Sequence, residues 1–154
     1  MRSSRLNIVL FEPRIPHNTG AIGRLCVSGG AALHLIHPLG FHLNAKEIRR
    51  SGLDYWEHLD LFEWACLQEL WEAHPPSGKE FFITTKGSKS YYSASFQEES
   101  FIFFGREDQG FSQEIYKVYQ QSCFKIPMQP QARSLNLATA VAIVLYEAIR
   151  QIGL

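Results

Sequence analysis

The sequence predicts an α/β protein with a mostly parallel sheet and helices on both faces. Three observations lead there. Short runs such as LNIVLF at 6–11, almost wholly apolar, and FIFF at 101–104 are apolar at successive positions rather than at alternate ones, as in strands covered on both sides. These runs alternate with longer segments whose apolar residues recur at three-and-four spacing. Glycine and proline fall between the two kinds of segment, at 29–30, 38, 75–78 and 127, where the chain must change direction.

Taken in order, residues 6–11 form the first strand. The loop at 12–17 holds two prolines, and Asn18 or Thr19 then caps a helix that runs to about Ser28, where Gly29 and Gly30 stop it. Residues 32–37 form the second strand, closed by Pro38, and 44–51 read as a short helix with a basic tip, ended by Gly52. The stretch 59–74 starts as a short strand and becomes an amphipathic helix, with Phe62, Cys66, Leu67 and Leu70 on one side. Residues 80–85 are a strand followed by a hydroxyl-rich loop. Residues 101–104 are another, followed by a tight loop at 105–110 and a helix at 112–120 capped by Ser112. The last strand, 124–126, ends at Pro127, which fixes φ and removes a donor. After a polar, proline-broken loop, Ser134 caps the final helix at 135–152. Leu135, Ala138, Val141, Ala142, Leu145, Ala148, Ile149 and Ile152 mark its main face, and Leu137, Val144 and Tyr146 widen it. Such a helix buries one side against its own sheet and another against a partner.

The length fits one domain, residues 1–154, with a core that needs no staples. Formal net charge is zero and 19% of residues are charged, which excludes nucleic-acid binding through overall charge and leaves only local basic patches. Cys26, Cys66 and Cys123 are odd in number, widely spaced and in no metal or redox motif. They read as reduced, buried small hydrophobes of a cytoplasmic protein. The histidines do not point to a metal: His34 and His37 face opposite sides of their strand, and no cysteine or carboxylate completes a ligand set. Residues 1–5 are polar and the apolar run at 8–11 is too short for a signal sequence or a membrane span, so a soluble protein is expected.

Three loops follow strands and lead into helices, where an open parallel sheet binds ligands at its carboxyl edge. The first holds Asn18, Gly20 and Arg24 but no G-x-G-x-x-G, so it does not match a dinucleotide fold. Asn18 offers a cap and an amide, and Arg24, about one turn inside the helix, can face an anion near its N-terminus. A capped helix with a solvated arginine fits the same residues. In the second loop, Gly105 allows close backbone approach to a flat ligand and Glu107 can accept from a ligand donor, although a plain turn would serve as well. The third, from Ile126 and Met128 to Ser134 and Asn136, can cradle a ligand at the start of the final helix.

In this order, N-x-G-x-x-x-R, F-G-x-E-x-x-G and I-P-M-x4-R-S-L-N-L-A-x-A resemble the three motifs of the SPOUT class of knotted RNA methyltransferases. With LNIVLFEPRIPHNTG, GLDYWEH, TTKG and ARSLNLATAVAIVLYEA, the chain is similar to the minimal subgroup of tRNA (cytidine/uridine) 2′-O-ribose methyltransferases, which act at the wobble nucleotide. The resemblance covers nearly the whole chain. It implies a deep C-terminal trefoil knot, S-adenosylmethionine as methyl donor, a homodimer packed on the first and last helices, and the anticodon stem-loop of tRNA as substrate, with leucine tRNAs expected. Carried over by position, Ile83, Thr84, Gly105, Glu107, Ile126, Met128 and Ser134 would contact the donor, and Arg24, Asn18, Glu107 and Asn136 would be the catalytic set. Arg106 stands where many relatives have a proline.

The chemistry agrees with that set. A ribose hydroxyl is a poor nucleophile, so a site must align it with the methyl group and help its proton leave. A guanidinium holds its proton tightly, so Arg24 suits a phosphate clamp better than a base, and Glu107 is the other candidate. Arg5, Arg14, Arg49, Arg50, Lys86 and Lys89 could hold RNA phosphates, and Tyr55, Trp56, Tyr91 or Tyr92 could stack on unpaired bases. The competing expectations are a non-catalytic RNA-binding module and a methyltransferase for another RNA position.

Overall fold

The computed structural model describes residues 5–44, 46, 48, 50 and 53–153. Seven strands lie in the order β3-β2-β1-β6-β4-β7-β5, and every neighbouring pair is parallel. They are β1 (Leu6–Phe11), β2 (Ala31–Ile36), β3 (Leu61–Trp64), β4 (Glu80–Ile83), β5 (Lys89–Ser90), β6 (Ser100–Phe104) and β7 (Cys123–Lys125). The helices are α1 (Pro16–Gly29), α2 (Leu67–Ala73), α3 (Gln113–Tyr119) and α4 (Leu137–Ile152), with a 3-10 turn at Leu53–His58. The two-residue β5, paired to β7 through Lys89 and Phe124, has no apolar run to announce it. Of the helix expected at 44–51, residues 46, 48 and 50 are described, and all three are helical.

The fully apolar strands are explained by burial on both faces. Successive residues point to opposite sides, so Phe81 and Ile83 join one core while Phe82 joins the other, and Ile102 and Phe104 part from Phe103 in the same way. The first core lies under α1 and α4, through Ile22, Cys26, Val141, Val144 and Leu145. The second lies under α2 and α3, through Leu70, Phe111 and Ile115. Cys26 and Cys123 are buried, but Cys66 is exposed. It is not part of the helix face expected of it, because β3 ends at Trp64 and Cys66 sits in extended backbone just before α2.

Two expected caps are corrected. The first helix starts at Pro16, earlier than expected, with Ile15 in the capping position and no side-chain cap. Proline's fixed φ suits that first position, so Asn18 and Thr19 lie buried inside the first turn and cap nothing. At the last helix the cap is Asn136, not Ser134: the Asn136 side chain accepts from the Thr139 N–H at 3.2 Å, and Ser134 stays in the loop. Helices α1 and α4 approach closely at Gly29, where a Cβ would lie 2.8 Å from the Ile149 Cδ1.

His34 is buried in β2 and fully hydrogen-bonded. Trp64 Nε1 donates to its Nδ1 at 3.0 Å, so Nε2 carries the proton and donates to Asn7 Oδ1 at 2.9 Å. Burial, with His74 nearby, pushes its pKa from 6.5 down to about 3. The unfolded chain therefore takes up this proton near pH 6.5 and the folded chain only near 3. The neutral ring's contribution to stability is complete above pH 6.5 and is lost as the pH falls through that window. Denaturant unfolding of His34→Gln should show a shallower loss of stability from pH 7 to 4 than the parent chain. Equal slopes would show that the ring does not titrate with folding.

Candidate active site

The loops after β6 and β7 and the start of α1 converge with the carboxyl end of β4. They enclose a cavity of about 510 Å³. Ile83 and Thr84 reach it from β4, Gly105 and Glu107 from β6, and Ile126, Met128, Ser134 and Asn136 from the segment after β7; Asn18 lines it from α1. The seven expected donor contacts and two of the three further catalytic candidates are thus brought together. Arg24 is not. Because α1 starts at Pro16, Arg24 lies eight residues further on, about 12 Å along the axis rather than one turn in. Its guanidinium rests 4.8 Å from the ring centroid of Tyr55.

The loop at 105–110 is a closed hairpin. The Arg106 N–H donates to the Gly110 carbonyl at 3.1 Å, the Gly110 N–H returns the bond at 2.8 Å, and Gly110 has a φ of 69°. A Cβ on Gly105 would fall 2.6 Å from the Gly110 carbonyl carbon, so the loop's own backbone demands this glycine. That is a different reason from the ligand approach expected of it. Arg106 grips Asp108 with two bonds, of 2.6 and 2.9 Å. This pair raises the guanidinium's pKa and lowers that of the carboxyl.

Between them, Glu107 turns toward α1. Its two oxygens accept from the backbone N–H groups of Arg14 at 2.8 Å and Ile15 at 2.9 Å, and from Asn18 Nδ2 at 3.4 Å. An ionised carboxylate only accepts, so Asn18 must turn its amide nitrogen to Glu107 and its oxygen away. That oxygen accepts from Asn136 Nδ2 at 3.1 Å, which leaves the Asn136 oxygen for the α4 cap. The chain Glu107–Asn18–Asn136 therefore has one consistent direction and ties together all three loops.

Other positions differ from expectation or were not foreseen. Arg5 is held by Glu98 and by the carbonyls of Ile152 and Gly153, and Lys89 by the Gln121 carbonyl. Lys86 lines the cavity with its ammonium 4.9 Å from the Tyr116 ring centroid. Arg49 lies outside the described residues. Tyr116 and Phe111 also line the cavity, and no quoted motif contains them, so only the tertiary fold reveals them; Ile15, within the quoted stretch at 6–20 but not singled out there, lines it too. Among the described residues no group of three His, Cys, Asp or Glu side chains could hold a metal ion, and no helix is long and apolar enough to cross a membrane.

The model of the SpoU rRNA Methylase family matches residues 5–146. A tRNA (cytidine(34)-2'-O)-methyltransferase of Yersinia pestis is 43% identical over 153 residues, covering 96% of this chain and 94% of the relative. A solved structure described as "Structural insights into the 2-OH methylation of C/U34 on tRNA" matches with a TM-score of 0.90 at 41% identity, over 95% of each chain. The SpoU methyltransferase AviRb from Streptomyces viridochromogenes in complex with the cofactor AdoMet shares the fold, with a TM-score of 0.83 at 24% identity. It is covered over 59% of its length by 98% of this chain.

Proposed function

Because the chain belongs to the SpoU rRNA methylase family, we propose that it is an S-adenosylmethionine-dependent tRNA 2′-O-ribose methyltransferase acting on cytidine or uridine 34, the wobble nucleotide. The observation that carries this reading is the Glu107–Asn18–Asn136 chain, which links the three loops around one cavity. The likeness to named wobble-position enzymes over nearly the full length supports that substrate, and leucine tRNAs are the isoacceptors that the family resemblance implies. Residues 1–154 are read as one methyltransferase domain of a cytoplasmic protein.

The cavity fits the donor. Its volume lies within the usual range for small-molecule sites, and its lining joins apolar walls, Ile83, Ile126 and Met128, to polar groups at Thr84, Asn18 and Asn136. Ile83, Thr84, Gly105, Glu107, Ile126, Met128 and Ser134 would hold it. When bound, S-adenosylmethionine supplies an electrophilic methyl group on a sulfonium. The chain's own residues do the rest by positioning. Glu107 holds the entry to α1 in place, and through Asn18 it orients the Asn136 amide at the cavity wall. Arg24, lying against the partly exposed Tyr55, serves as a phosphate clamp set apart from the donor cavity, with the ring available to an unpaired base.

We also infer the C-terminal trefoil knot and a homodimer. The knot is supported by the tight crossing at Gly87, where a Cβ would lie 2.6 Å from the Phe124 carbonyl carbon, and by β5 lying beside β7. The dimer is supported by α4, which keeps Tyr146 44% exposed on a helix otherwise rich in apolar residues. Sedimentation equilibrium should give the dimer mass at micromolar concentration, and a monomer there would refute it.

The function is tested by methyl transfer into tRNA from cells that lack the enzyme, followed by nucleoside mapping. Label should appear as 2′-O-methylcytidine or 2′-O-methyluridine at position 34. Label on a base, or at another position, would overturn the reading.

A further inference from the structure

We infer that Tyr116 is a positioning residue for the methyl donor, acting by fastening two of the donor-cavity loops to each other. Its hydroxyl lies 3.0 Å from the Thr84 Oγ1, in the loop after β4, and accepts from the Phe111 N–H, at the end of the loop after β6, at 3.4 Å. Among the described residues no direct hydrogen bond joins these two loops, so the phenol is their polar link. Neighbouring residues also confine the hydroxyl. A Cβ at Gly110 would come within 3.0 Å of the same hydroxyl, and the ring stands edge-on to Phe111 with centroids 6.0 Å apart. Thr84 in turn accepts from the Lys86 N–H at 3.2 Å, so the link continues along the β4 loop. Lys86 extends over the ring, and both side chains also line a separate cavity of about 360 Å³.

Two loops that close on one ligand bind it better when they are already held in register, because less ordering remains to be done on binding. The hydroxyl holds that register; the ring alone only fills the wall. This rests on the reading of the cavity as the donor site.

The test is a double-mutant cycle on the affinity for S-adenosylhomocysteine, the demethylated product, measured by calorimetry on the full chain. Tyr116→Phe and Thr84→Val should each raise Kd by at least about fivefold, the weight of one neutral hydrogen bond. The double variant should raise Kd by clearly less than the product of the two single effects, since both remove the Thr84–Tyr116 bond, while each also removes one bond of its own, from the Phe111 N–H and from the Lys86 N–H. In methyl transfer, KM for the donor should rise more than kcat falls in Tyr116→Phe. An unchanged Kd in Tyr116→Phe, or a double variant whose losses multiply, would overturn the inference while leaving the donor site intact. A parent chain that binds no S-adenosylhomocysteine would overturn the reading of the cavity, and this inference with it.

Discussion

Glu107→Gln should slow single-turnover methyl transfer about 100-fold and weaken donor binding as well. The amide that replaces the carboxylate has one oxygen where the native group has two, so Arg14 or Ile15 must lose the acceptor of its N–H, at present 2.8 and 2.9 Å away. Bonds to a charged acceptor contribute roughly 1.5 to 3 kcal/mol each. Removing one and weakening the other should cost roughly 2 to 3 kcal/mol of ordering at the loop junction, a factor of about 30 to 150. The loss reaches the cofactor site because Asn18 takes its orientation from Glu107, and Asn136 from Asn18. A base role makes a further forecast. If Glu107 also removed the ribose proton, the pH dependence of the rate would vanish in this variant in addition to these losses. Calorimetry reads the weakened donor binding, and a pH–rate profile on the same variant separates the two roles.

Arg24→Lys should lower the single-turnover rate about 100-fold with donor affinity unchanged within about twofold. Lysine keeps the charge but loses the planar fork that grips phosphate with two bonds. It also loses the flat surface that lies 4.8 Å from the Tyr55 ring centroid. The separation of Arg24 from the cavity lining is the reason donor binding should survive. A lysine in the role of base would behave otherwise, since its pKa is lower and shifts readily, giving near-normal rates over a displaced pH window. Single-turnover methylation of an anticodon stem-loop across pH distinguishes these outcomes: a uniformly slow variant with the parent's profile supports the clamp, and a fast one with a shifted profile refutes it.

The sheet was legible because burial on both faces leaves a direct mark on composition. Runs such as LNIVLF, with Asn7 its one polar residue, and FIFF are almost wholly apolar, and the structure places their alternate apolar residues in two separate cores. Short elements left no such mark. Strand β5 is only Lys89 and Ser90, and neither residue type suggests a strand. Caps were misplaced for a local reason: Asn18, Thr19, Ser134 and Asn136 are all competent cap residues, and only the position of Pro16 and the packing of α4 decide among them. At the site, the motif residues Gly105, Glu107, Ser134 and Asn136 could be named from spacing. Their bonds could not, because Glu107 and Asn18 are 89 positions apart and Asn136 and Asn18 are 118. Tyr116 had no signal at all, since an aromatic in a short amphipathic helix reads as core.

The central claim is that the acceptor is the 2′-hydroxyl of nucleotide 34. Two anticodon stem-loops, identical except for a 2′-deoxyribose at position 34, test it in one single-turnover experiment with labelled S-adenosylmethionine. The all-ribose stem-loop should take up label that maps to nucleotide 34, and the deoxy stem-loop should take up none. Equal transfer to both, or label mapping elsewhere, would contradict the account.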